Sequence, residues 1–421
     1  MTTGQKVVLT LFALSLLAGL TTGGKLYYRL SVFWAFLFFG AWLWSVLSLR
    51  GLKFQRSSRT SRAQVGQIYE ERFEVQNENR LPRLWLEIRD ESSLPGSDGS
   101  RVLTILNGKQ GRSYLARARL VKRGVFPLGP TELSSGDLFG LFPVSRKIPA
   151  RDSLLVYPLM VDVRAFPNPP GLLPGGESLR RRTHQITPNA SGVRDYITGD
   201  PLNRIHWMST ARRGRLIVKE FELDPLADVW IFVDAAQDVQ AALPQGPVDY
   251  YAKDFWSYSG KIQLPPSTEE YAISVAASLV RDYLRRGRAV GLACAGQHLT
   301  LLSPDRGGRQ LGKILEALAL TRAEGDLPLR ALVETQVKHM VRGSTVVIIT
   351  PSVSREIALI TDFLIQRGLK PIIVLLDAAS FGGAPGTELL AESIKILGIP
   401  YRIIGNGVDI AAALSNGHYR E

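Results

Sequence analysis

Cysteine is nearly absent. Cys294 is the single one in 421 residues, which excludes an intrachain disulfide framework and a cysteine-based zinc site and suits a reducing compartment. It stands in the apolar run Val290 to Ala295, where a thiol is ordinarily a packing group. The five histidines are scattered without His-Glu-x-x-His spacing, and no Gly-x-Ser-x-Gly elbow occurs. Two stretches fit Gly-x4-Gly-Lys, from Gly307 and from Gly19. Ile314 and Leu26 stand where a Ser or Thr would have to hold Mg²⁺. Acidic residues are missing before Glu70, whereas Lys6, Lys25, Arg29, Arg50, Lys53, Arg56, Arg59 and Arg62 all fall in that stretch. Much of the net charge of +13 is therefore explained by membrane topology, and no nucleic-acid partner is expected.

Charge is also missing from Val7 to Leu20, a run that extends through Thr22, and again from Leu30 to Leu49. Apolar helices of about 20 residues match the hydrocarbon thickness of a bilayer. The segment between them, Thr21 to Arg29, suits a tight hairpin, and Tyr27, Tyr28, Trp42 and Trp44 are interfacial types. Basic residues crowd the stretch from Arg50 to Arg62, so the positive-inside rule places the rest of the chain in the cytoplasm. The alternative, a cleaved signal peptide ending with the first run, leaves that orientation unchanged. The expected protein is a two-span protein of the cell (inner) membrane, with residues 1–62 as anchor and basic juxtamembrane segment.

Residues 63–165 read as a small all-β, sandwich-like domain. Ile68 to Gln76 alternates imperfectly, and Leu84 to Ile88, Ser113 to Val121 and Ser153 to Tyr157 also read as strands. Turn material separates them at Ser92 to Gly99, Asn107-Gly108 and Arg123-Gly124, and Asn-Gly predicts a hairpin. A Pro/Gly-rich linker follows from Phe166 to Gly176, within a segment 166–225.

The densest pattern runs from Gly192 to Glu222. Asp200-Pro201 reads as a helix start, Gly214 as its end with Arg212 and Arg213 in the last turn, and Leu216 to Glu222 as a strand. This stretch resembles the bacterial domain-of-unknown-function family fifty-eight at Gly192, Arg194, Tyr196, Gly199, Asp200, Arg204, Ile205, Trp207, Ala211, Arg212, Val218, Lys219 and Phe221. Upstream, Arg123 to Pro130 and Asp137 to Phe142 look like the family's Arg-Gly and Asp-Pro-Phe-Gly-Leu segments. Leu138 stands in place of the Pro, and His206 occupies a position often filled by Asp. Arg194, Asp195, Asp200, Arg204, His206, Arg212 and Lys219 could be posed as acid, base and oxyanion groups. Their placement around a cap, with Trp207 as an apolar plug, is explained more simply as structural coupling or partner contact.

From residue 226 to 421 strands and helices alternate: strands at Val229 to Asp234, Ala289 to Ala295, His298 to Leu302, Ser344 to Thr350, Pro371 to Asp377 and Tyr401 to Ile404. Helices fall at Tyr271 to Arg286, Gly312 to Ala319, Ser354 to Gln366 and Thr387 to Leu397. This is an open α/β sheet, and it resembles the von Willebrand factor A-like domain expected in that family. The resemblance implies a Mg²⁺ site built from oxygen donors. Here it is degenerate: Asp234 is kept, Ala236 offers no ligand, Asp238 replaces a Ser, and the last loop reads Thr350-Pro-Ser352. No cofactor is expected, and Asp234 is assigned to capping or to bonds between strand-end loops. An insertion from Gln237 to Glu269 carries Tyr250, Tyr251, Phe255, Trp256 and Tyr258, a candidate interaction surface or the packing of that loop on its own domain. The resemblance implies a non-enzymatic, membrane-tethered interaction factor working with a MoxR-type AAA+ ATPase in assembling or activating protein complexes. The alternative is a metal-dependent adhesion-type A domain binding a protein ligand.

Overall fold

A computed structural model describes residues 1–167, 190–197, 205–221, 228–244, 246 and 263–415. The chain divides into two compact units. The first comprises Met1–Met160, Pro244–Pro266 and Leu315–Thr321; the second comprises Val161–Leu243, Ser267–Ile314 and Arg322–Glu421.

The first unit opens with α1 (Thr3–Thr22) and α2 (Lys25–Ser48), both long and apolar enough to cross a membrane. Thr2 and Gln5 form a reciprocal capping box at the start of α1. The connection is shorter than the expected hairpin, because Lys25 to Arg29 already belong to α2. Small residues line the contact between the helices: Ser15, Gly19, Ser31 and Ala41 are buried, and Ser31 Oγ donates to Ser15 Oγ at 3.1 Å. Close approach of small side chains is how helices pack where lipid removes the hydrophobic drive between them.

Ten strands follow: β1 (Leu52–Ser58), β2 (Arg62–Gln64), β3 (Ile68–Asn77), β4 (Arg83–Asp90), β5 (Arg101–Leu106), β6 (Gly111–Arg119), β7 (Gly124–Pro127), β8 (Thr131–Ser135), β9 (Val144–Ile148) and β10 (Ser153–Tyr157). They form three sheets, ordered β1-β3-β6, β2-β10-β7 and β5-β4-β8-β9. The first and third share one core of Phe73, Val75, Tyr114, Leu86, Ile88, Leu106 and Leu133, as in sheets packed face to face.

Two features of the sequence are explained here, and one expectation needs correction. The basic juxtamembrane segment after α2 is folded, since it builds β1 and opens β2. Arg56 points inward and pairs with Glu71 and Asp90. The imperfection in the β3 alternation is the same feature seen from the other side. Glu71 takes a core-facing position, where it accepts from Tyr69 Oη at 2.8 Å and Arg56 Nε at 2.8 Å. Finally, Asn107-Gly108 closes no hairpin, because β5 and β6 lie in different sheets. Gly108 is required instead by close approach: a Cβ there would stand 2.2 Å from the Arg80 carbonyl oxygen.

In the second unit β11 (Ala190–Asp195) pairs antiparallel with β12 (Ile217–Phe221), with α3 (Trp207–Arg213) between them in sequence. A six-stranded sheet contains β13 (Val229–Val233), β14 (Val290–Ala295), β15 (Leu299–Asp305), β16 (Thr345–Thr350), β17 (Lys370–Leu376) and β18 (Tyr401–Ile404). Its order is β15-β14-β13-β16-β17-β18, parallel except for the antiparallel edge strand β15. Helices α4 (Thr268–Arg285), α5 (Gly308–Leu320), α6 (Leu329–Val337), α7 (Glu356–Gln366), α8 (Thr387–Ile396) and α9 (Ile410–Ser415) intervene or follow. All five residues of β13 are buried, as parallel strands covered on both faces require. Trp230 and Phe232 join a core with Leu332, Ile357, Leu364, Leu390 and Ile394 from α6, α7 and α8. Helix α4 packs across β13, β14, β16 and β17. The chain therefore has an apolar helix hairpin and mixed α/β content in several sheets.

Candidate functional site

The motif stretch folds as a hairpin with α3 seated on it. Ile205 bridges to Val218, His206 N donates to the Ile217 carbonyl at 2.7 Å, and Tyr196 N donates to the Leu216 carbonyl at 2.9 Å. The helix that ends at Gly214 begins at Trp207, so the expected start at Asp200-Pro201 is not its start. His206 is the N-cap: its Nδ1 accepts from Ser209 N at 3.2 Å. This explains physically how His replaces an acceptor side chain at that position. Gly214 closes the helix in the left-handed conformation, and Thr210 Oγ1 accepts from Ile217 N at 3.0 Å. Arg215 pairs with Asp195 at 3.1 Å, both exposed.

Trp207 is not a plug. It is 67% exposed and Met208 beside it 65% exposed, while Ile205, Ile217 and Val218 supply the buried face. Ala211 and Arg212 are also exposed on α3. Gly192 and Arg194 lie on β11, and Lys219 and Phe221 on β12. Gly199, Asp200 and Arg204 lie outside the described residues, as do Tyr250, Tyr251, Phe255, Trp256 and Tyr258 and the linker beyond Pro167.

At the end of β13 the Asp234 carboxylate is buried. Its Oδ2 accepts from Thr350 Oγ1 at 2.6 Å and its Oδ1 from Ala236 N at 3.3 Å. The surrounding loop is laced to its neighbours. Gln240 Nε2 donates to the Asp234 and Ala236 carbonyls, Thr268 Oγ1 donates to Gln240 Oε1 at 2.8 Å, and Ala236 bridges to Gly325. Burial pushes the Asp234 carboxyl up to about 6, with the Asp238 charge adding to the rise and the bonds from Thr350 and Ala236 opposing it. The Thr350 hydroxyl, which the sequence offers only as a replacement for an acid, is the partner that joins the ends of β13 and β16. Among the described residues no group of three or more His, Cys, Asp or Glu is placed to hold a metal. The donor set does not fit the Mg²⁺ site either. Asp238 is exposed, Ala236 brings a methyl group, and both Asp234 oxygens already accept protein hydrogen bonds.

Residues 192–242, which contain both the motif hairpin and the Asp234 loop, match the family described as "Protein of unknown function DUF58". Among curated proteins the chain is 22% identical over 275 residues to "Uncharacterized protein YeaD" of Bacillus subtilis (strain 168). That match covers 65% of this chain and 57% of the relative, so it spans little more than half of the relative's length. Of solved structures, the CARDB domain of the PF1109 protein from Pyrococcus furiosus aligns with 10% identity and a TM-score of 0.18, covering 25% of this chain and 91% of that domain. The cupredoxin domain of amoB from Nitrosocaldus yellowstonii aligns at 10% identity and a TM-score of 0.18, covering 26% and 89%. Scores this low define neither fold nor function here.

Proposed function

We propose that this chain is a membrane-anchored, non-enzymatic interaction factor whose soluble parts face the cytoplasm and which docks a MoxR-type AAA+ ATPase. The observation that carries the docking reading is the exposed pair Trp207 and Met208, presented on a short helix braced at both ends inside the family-matched stretch. Aromatic and thioether side chains held rigidly in water are what interface hot spots are made of. The paired apolar helices support anchoring, and the charge asymmetry around them supports the cytoplasmic side. The order of the six-stranded sheet, with one antiparallel edge strand, supports an A-like domain. The adhesion alternative keeps that fold but needs an ion, which the donors at Asp234 serve poorly.

The test is affinity isolation from detergent-solubilised native membranes, with wild type compared against the double substitution Trp207→Ser and Met208→Ser. The ATPase, identified by mass spectrometry, is expected with wild type and about tenfold reduced with the variant. Absence of any such ATPase after crosslinking would remove the partner. Equal recovery by both would move the surface elsewhere.

A further inference from the structure

The loop between β8 and β9, Gly136 to Pro143, contains a segment the motif analysis singled out and the docking reading does not use. Asp137 is buried, and its carboxylate accepts three backbone amides: Phe139 N at 2.9 Å, Leu141 N at 3.1 Å and Phe142 N at 2.6 Å. Gly140 N donates to the Asp137 carbonyl at 3.4 Å. The next carbonyls are taken by the helix hairpin: Thr2 Oγ1 donates to Leu141 O at 3.0 Å and Ser45 Oγ donates to Phe142 O at 2.6 Å. Leu141 packs with Val8 and Ala41, and the Phe142 ring stands edge-on to Phe38, centroids 5.0 Å apart.

These partners fix the depth of the loop. Helix α1 has 20 residues, about 30 Å at 1.5 Å each, which equals the hydrocarbon thickness with nothing to spare. Gly4 is in its first turn, and a Cβ there would stand 2.9 Å from Leu141 Cδ2. Val8 is a turn deeper. On α2, Phe38 lies well inside the helix end at Ser48, about 15 Å along the axis. A loop packed at these levels sits below the membrane surface, at the depth of the lipid chains. At the same turn Leu138 and Phe139 are 69% and 65% exposed. Other loops of the unit have polar tips, as at Ser97-Asp98 and Asn107 to Lys109. Irregular backbone at membrane depth must have its polar groups satisfied by the protein. Four consecutive amides of this loop, from Phe139 to Phe142, and three of its carbonyls, of Asp137, Leu141 and Phe142, meet that condition.

We propose that the Asp137–Phe142 loop is a third membrane contact, with Leu138 and Phe139 inserted among the lipid chains of the leaflet that receives the start of α1 and the end of α2. The inference rests on the reading of α1 and α2 as membrane spans. Its occupant is lipid because the loop is continuous with the helix faces that lipid would cover.

The test uses the full chain in phosphatidylcholine vesicles, in a Cys294→Ala background, with single cysteines carrying an environment-sensitive fluorophore. Phe139→Cys reports the loop, Phe36→Cys the middle of α2, and Ser58→Cys the far end of β1. Leu138→Cys serves if the first loop variant fails to fold. Lipids bear a spin-label quencher either near the headgroup or deep in the chain. Phe139→Cys is expected to be quenched roughly twofold or more, best by the shallow label. Phe36→Cys should respond best to the deep label, and Ser58→Cys to neither. If Phe36→Cys is quenched while Phe139→Cys behaves like Ser58→Cys, the loop lies in water and the proposal fails with the anchor intact. If Phe36→Cys is not quenched, the anchor itself falls and the loop proposal with it.

Discussion

Replacing Asp234 with Asn removes a charge the fold holds at a disadvantage and keeps a group of the same size that can still accept from Thr350. The carboxyl is raised from 3.8 to about 6, first by burial. A raised acid binds its proton more tightly in the folded state, so its contribution is most favourable below the unfolded value and is lost as pH rises through about 6. The whole shift amounts to about 3 kcal/mol at 1.36 kcal/mol per unit, of which about 1 kcal/mol falls between pH 5 and pH 7. Asn keeps one acceptor, for Thr350, and loses the bond from Ala236 N at 3.3 Å, so the predicted outcome is a pH-dependent change in its stability relative to wild type. Its stability relative to wild type should rise by about 1 kcal/mol from pH 5 to pH 7. The chain carries its own reporter. Cys294 is fully buried on β14, in register with Val233 one residue before the carboxylate, so its alkylation measures opening of the sheet. Urea-dependent alkylation of the full chain in detergent would be followed at both pH values. A difference between variant and wild type that is the same at pH 5 and pH 7 would show that Asp234 ionises like an ordinary carboxylate, and the burial argument would be refuted.

The first unit offers two further tests. Arg56→Ala leaves Glu71 and Asp90, both almost fully buried, without their cation. Uncompensated buried charges cost about 3–5 kcal/mol, so the urea midpoint of this unit should fall sharply. Phe73 is fully buried and stacks on Tyr114 with centroids 5.2 Å apart. Phe73→Ala should lose about 3–5 kcal/mol, read by the same urea midpoint.

What could be read from the sequence follows from how many faces an element buries. β13, β16 and β17 are buried on both faces and announce themselves as unbroken apolar, largely β-branched runs. The two long helices are visible for a similar reason, since lipid-facing and protein-facing sides are both apolar. β8 was not legible, because its inward positions include Thr131 and Ser135, and the latter is satisfied by donating to the Trp85 carbonyl at 2.7 Å. A polar residue whose partner comes from another strand carries no local signal. Within the site, Asp234 and the close of α3 at Gly214 were legible. The start of α3 was misread because an Asp-Pro pair is a stronger cap signal than a His, and the choice was made by the Ile205–Val218 bridge, a contact across the hairpin. Trp207 was misjudged for a related reason. Apolar character says that a ring prefers burial, but not whether the fold has a face left to cover it.

The same geometry makes the adhesion reading testable at the strand end. In an adhesion-type site the carboxylate at the first strand would be a ligand, and an ion would stabilise the folded unit by mass action, about 2.7 kcal/mol at a hundredfold excess over its dissociation constant. Here Thr350 Oγ1 donates to Asp234 and also accepts from Ser352 N at 3.0 Å. An ion would have to displace the first bond and turn the hydroxyl, while Ala236 supplies no donor in return. Saturating Mg²⁺ or Mn²⁺ is therefore expected to leave the Cys294 protection midpoint unchanged in both wild type and Asp234→Asn. A shift in wild type that Asp234→Asn abolishes would mean that the carboxylate coordinates an ion after all. The strand end, rather than the exposed face of α3, would then become the place to look for a protein ligand.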